Sequence, residues 1–108
     1  MRASVENKTV ANFKFHENTL TVNVELYWEN HAEFLKCCKC LIESEYDRIV
    51  LDLTQVTFIF STYMGTIGRL LAQCTKENKH LTVRIPSSLS WLFEAVGFDK
   101  IVDIEVMS

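Results

Sequence analysis

The chain has 108 residues, 48% of them hydrophobic and 23% charged, with three glycines, one proline and a net charge of −3. This balance describes one folded domain spanning residues 1–108 and excludes a collagen-like or charge-rich disordered chain. Gly65, Gly68 and Gly97 write neither a G-x-G-x-x-G turn nor a phosphate-binding G-x-x-x-x-G-K-[ST] loop, and no cluster of Lys and Arg supplies a nucleic-acid footprint.

Phe13 and Phe15 mark a first strand, and the polar His16-Glu17-Asn18-Thr19 reads as a turn. Leu20, Val22, Val24 and Leu26 alternate with polar residues, so a second strand over 20–26 completes an antiparallel hairpin. From Asn30 to Ser44 the period lengthens: Phe34, Leu35, Cys38, Leu41 and Ile42 form the buried stripe of a first helix. The nearly continuous apolar run Ile49–Leu53 predicts a central strand covered on both faces.

After the corner Thr54-Gln55, the stretch Val56–Phe60 leads to Ser61, which reads as the N-cap of a second helix with Met64, Ile67, Leu70, Leu71 and Cys74 on one face. Leu81, Val83 and Ile85 alternate as a strand stopped by Pro86, and Ser87 or Ser88 is placed to cap a third helix. That helix buries Leu89, Leu92, Phe93 and Val96, and Gly97 supplies a left-handed stop. Val102, Ile104 and Val106 form a last strand. The order β-β-α-β-α-β-α-β predicts an α/β fold: a mixed five-stranded sheet covered by helices, with parallel neighbours across each helix.

Conventional catalytic constellations are missing from the sequence. His16, His31 and His80 lack metal-ligand spacing, and G-x-S-x-G is absent. Cys37, Cys38, Cys40 and Cys74 offer no second ligand pair at zinc spacing and are expected to be reduced thiols. No metal, cofactor or catalytic residue is expected, and the chain does not read as an enzyme. No apolar stretch reaches the ~18 residues of a spanning helix, and Met1–Asn7 lacks a signal peptide's apolar core, so a cytoplasmic protein without membrane insertion is expected. The remaining candidate is the hydroxyl of Ser61. It is either a plain cap, or an exposed group at a helix N-terminus, where phosphorylation adds about −1.5 to −2 charges without melting the helix.

The run Ile49–Ile59, then Ser61-Thr62 and Gly65, resembles the signature of STAS domains, the family of anti-sigma factor antagonists; Gly97-Phe98-Asp99-Lys100-Ile101 is similar to that family's closing segment. The resemblance covers roughly the whole chain. It implies a non-enzymatic regulator that binds an anti-sigma factor serine kinase and is inactivated when that kinase phosphorylates the serine opening the second helix. That serine matches Ser61, with Thr62 as the neighbouring hydroxyl; Asp52 matches the aspartate of the preceding strand and Gly65 a motif glycine. The implied partner surface is Asp52, Phe60, Ser61, Thr62, Tyr63, Met64 and Gly65.

Two positions depart from the family pattern: Phe60 replaces an aspartate and Tyr63 a glycine. Exposed, Phe60 and Tyr63 are interface anchors, whereas a buried Phe60 extends the core. Their presence keeps open an alternative, a STAS adaptor or structural subunit of a lipid-transport or signalling assembly with no working phospho-switch.

Overall fold

The computed structural model describes residues 12–107; the amino-terminal stretch read above for a leader lies outside them. Strand β1 (Phe13–His16) turns into β2 (Thr19–Val22) through Glu17 at φ +54°, the left-handed sense that suits a two-residue hairpin loop. The turn is pinned to the next strand: Asn18 Nδ2 donates to the Arg48 carbonyl at 2.8 Å, and the Val50 amide donates to the Asn18 carbonyl at 2.9 Å. Next come α1 (His31–Glu43), β3 (Arg48–Asp52), α2 (Ser61–Lys76), β4 (His80–Pro86), α3 (Ser90–Ala95) and β5 (Asp103–Met107), with short 3-10 turns at Trp28–Asn30, Ser87–Leu89 and Phe98–Lys100.

Among the described residues the strands form one five-stranded sheet in sequence order; β1 runs antiparallel to β2, and every later pair is parallel. This is the mixed sheet that the element order predicts. The core lies between one sheet face and the helices: Leu20, Val22, Ile49, Leu51, Leu81, Val83 and Ile85 meet Phe34, Leu41, Ile67, Leu70 and Phe93.

Five expectations are corrected. Sheet pairing of β2 ends at Val22 rather than Leu26; Leu26 is fully buried and makes only an isolated parallel bridge with Ile59. The alternation over 20–26 thus reports burial, which outlasts pairing. Strand β3 is not covered on both faces: Ile49 and Leu51 are buried, while Val50 and Asp52 on the other face are only half-buried. Leu35 lies outside the α1 stripe and is exposed, whereas Phe34, Cys38, Leu41 and Ile42 are buried. Neither Ser87 nor Ser88 caps α3; both sit in the preceding 3-10 turn, and the helix starts at Ser90 without a side-chain cap. Val96, read as part of that helix's apolar face, is also exposed.

Gly97 adopts φ +80°, and a Cβ placed there would meet nothing within 4 Å. Only backbone strain therefore opposes substitution, and Gly97→Ala is expected to cost about 1–2 kcal/mol. A lower urea midpoint with an unchanged slope is the corresponding readout.

Candidate functional site

Two loops that leave the sheet on the same side build the surface around Ser61. The loop after β2 carries Glu25, Leu26, Tyr27 and Trp28; the segment after β3 carries Thr57, Phe58, Ile59 and Phe60 and runs into α2. They are stitched by backbone bonds from the Leu26 amide to the Phe58 carbonyl at 3.1 Å and from the Phe60 amide to the Leu26 carbonyl at 3.2 Å. The Glu25 carboxylate adds three bonds, accepting from the Thr57 amide at 2.7 Å, the Thr57 hydroxyl at 2.5 Å and the Phe58 amide at 2.9 Å. Partial burial pushes the Glu25 carboxyl up in pKa, but these donors outweigh it, and the group ends below its usual value.

Ile59 and Leu26 point into the core, which turns their neighbours outward. Tyr27, Phe58 and Phe60 consequently cluster at the surface: ring centroids are 5.1 Å apart for Tyr27 and Phe58, 5.2 Å for Phe58 and Phe60, and 6.0 Å for Tyr27 and Phe60. Each remains about 40% exposed, and Trp28 beside them is 67% exposed, stacked on His31 at 6.1 Å. Phe60 is therefore an exposed aromatic rather than an extension of the core.

Ser61 follows this cluster as the first residue of α2. It is exposed, and it is not the N-cap: Phe60 occupies that position in an extended conformation, with no side-chain cap bond. Thr62 is also exposed. The capping role expected for Ser61 is thus corrected, and its hydroxyl stands at the positive end of a 16-residue helix.

The structure separates Tyr63, Met64 and Asp52 from this surface. Tyr63 is fully buried, with its ring edge-on to His31 at 4.9 Å and Phe34 at 5.1 Å. Its hydroxyl donates to the Tyr27 carbonyl at 2.6 Å, and burial together with the Glu29 carboxylate pushes its pKa up to about 12. Met64 is buried as well. Asp52 is half-buried on the opposite sheet face, accepting from the Thr54 amide at 2.9 Å and hydroxyl at 2.7 Å, and it lines a separate cavity with Arg84 and Glu105.

Gly65 is exposed, and a Cβ there would meet nothing within 4 Å, so close packing does not require it. Gly65→Ala is expected to stabilise the fold by about 1 kcal/mol through helix propensity, read as a rise in Tm. At Gly68 the same construction reaches the Phe98 ring at 3.4 Å, an ordinary contact.

Sequence reasoning missed Glu25, Tyr27 and Trp28, which fell at the end of an expected strand and just beyond it. An adjacent Tyr-Trp pair outside any apolar period was the available signal. The thiols add no second site. Cys38 and Cys74 are buried and pushed up in pKa by desolvation, and all four cysteines are free. Among the described residues no group of three or more His, Cys, Asp or Glu is placed to hold a metal, and no helix is long and apolar enough to cross a membrane.

The fold and the site define a class: a small α/β domain whose distinctive chemistry is exposed aromatic area beside a helix-opening serine, in place of converging acids and bases. The STAS domain family model matches residues 10–106, and the chain belongs to that family. Two solved structures share its fold. One is a candidate anti-sigma factor antagonist from Thermotoga maritima, 23% identical, with a TM-score of 0.72 over 89% of this chain and 85% of that one. The other is an anti-sigma factor antagonist from Mycobacterium paratuberculosis, 16% identical, with a TM-score of 0.73 over 86% of this chain and 81% of that one. No curated protein matches the chain significantly.

Proposed function

We propose that this STAS domain is a non-enzymatic, cytoplasmic partner-switching regulator of the anti-sigma factor antagonist kind. In its unmodified form it binds an anti-sigma factor with serine-kinase activity, and phosphorylation of Ser61 by that kinase abolishes the complex. Thr62 is the secondary acceptor. The observation that carries this reading is the exposed, uncapped Ser61 hydroxyl at the start of α2, bordered by Tyr27, Phe58 and Phe60. Large rings with fixed neighbours give contact area at low entropic cost, which is what an interface core requires.

One observation favours the second reading, a constitutive adaptor: Phe60 places an exposed ring where the resembled family has a carboxylate. Tyr63 no longer bears on that choice, because it is buried.

The test mixes the purified protein with each anti-sigma factor serine kinase of the same genome, with and without ATP, and measures complex formation and the mass of the Ser61 peptide. A complex that forms without ATP and dissolves as Ser61 gains phosphate is the expected result. A complex indifferent to Ser61→Ala and Ser61→Asp supports the adaptor, and absence of both binding and phosphorylation removes the regulatory reading.

A further inference from the structure

The segment joining β3 to α2 carries Phe58 and Phe60 and delivers Ser61, yet it belongs to no strand or helix. Two backbone bonds to Leu26 and three bonds to the Glu25 carboxylate tie it to the loop after β2. Resting on the reading of this surface as a docking site, we propose that Glu25 is its positioning residue: the carboxylate fixes Phe58, Phe60 and Ser61 against Tyr27 before a partner arrives.

The chemistry of the clamp is specific. Both amides donate to one carboxylate oxygen, Oε1, and the Thr57 hydroxyl donates to the other, Oε2, so the clamp needs a side chain that reaches all three groups at once. Glutamine can keep all three bonds, its oxygen accepting from both amides and its NH2 donating to the Thr57 hydroxyl, whereas alanine removes all three. Aspartate keeps both oxygens but is one methylene short, and it restores the clamp only in part. Thr57 and Phe58 are exposed, so water satisfies their amides when the carboxylate is lost. The adjoining Leu26, Val56 and Ile59 remain anchored in the core. Loss of Glu25 therefore leaves the fold in place and loosens one stretch of surface. A surface held in its bound arrangement avoids the ordering cost of association, and a loosened one incurs it.

The experiment compares the full chain with Glu25→Ala and Glu25→Asp in two measurements. The first, without any partner, is amide hydrogen exchange. Glu25→Ala is expected to speed exchange at Thr57 and Phe58 by about tenfold and to leave β3 and β4 amides unchanged. Unchanged exchange at those two amides overturns the proposal. The second is phosphorylation of Ser61 by an anti-sigma factor serine kinase. Glu25→Ala is expected to raise KM about tenfold at nearly constant kcat, with Glu25→Asp between it and the parent. A KM unaffected by a loosened loop also overturns the proposal. If no kinase acts on the parent protein, the docking reading fails by itself, and the exchange measurement still decides whether Glu25 sets the loop.

Discussion

Tyr63→Gly, the substitution that restores the glycine of the resembled family, is expected to remove about 4–6 kcal/mol of stability: about 3–5 for emptying a buried aromatic site and ~1 for glycine inside a helix. Tyr63 heads the fully buried side chains by volume, wedged between His31 and Phe34. Against a typical total of about 5–15 kcal/mol, the variant is expected to be largely unfolded or close to it at 37 °C. Urea unfolding followed by circular dichroism reads this directly. Tyr63→Phe isolates the hydroxyl, and its expected cost is about 0.5–1.5 kcal/mol for leaving the Tyr27 carbonyl without that donor. Because this bond holds the Tyr27 loop to α2, both variants also loosen the aromatic surface beside Ser61. The departure at this position is thus a core element of this chain that supports the surface from below.

Phosphorylation of Ser61 is expected to weaken binding of the anti-sigma factor serine kinase by about 100-fold or more, equivalent to ~2.7 kcal/mol. The added charge, about −1.5 to −2, would be desolvated among the Tyr27, Phe58 and Phe60 rings. This chain offers it no compensating cation from the surrounding segments: no lysine or arginine lies between Lys14 and Lys36 or between Arg48 and Arg69. The fold itself tolerates the modification, because negative charge in the first turn of a helix is favourable by about 0.3–1 kcal/mol. Isothermal titration of phosphorylated and unmodified protein, accompanied by thermal melts, separates a surface effect from unfolding.

Much of the architecture was legible because period and burial agree over most of the chain. Strand β4 and the helix stripes Phe34–Cys38–Leu41 and Ile67–Leu70–Cys74 follow their expected spacing, and β3 lies where its apolar run places it but buries only one face. Even the burial of Tyr63 was written there, since Tyr63, Ile67, Leu70 and Cys74 fall at steps of four, three and four. The family motif places the same position on a surface, and the helical period and the motif conflict there. The candidate site was harder to read because it is made where the chain leaves regular structure. Leu26 stays buried after strand pairing has ended, so its alternation concealed a loop. The contacts joining Glu25 to Thr57 and Phe58 span 32 and 33 residues, a separation that no local pattern encodes. Asp52 shows the converse: its position at the end of β3 matches the motif, but strand alternation turns it to the opposite sheet face from the core.

The most direct test of the account is a single reaction followed at one residue: the protein, an anti-sigma factor serine kinase of the same genome and ATP, with complex and peptide mass measured together over time. The account predicts a complex at the outset, phosphate appearing on Ser61, and dissociation that keeps pace with it; Ser61→Ala should stay bound throughout. A complex that persists after Ser61 is fully phosphorylated, or a Ser61→Ala protein that dissociates on the same time course, would contradict it.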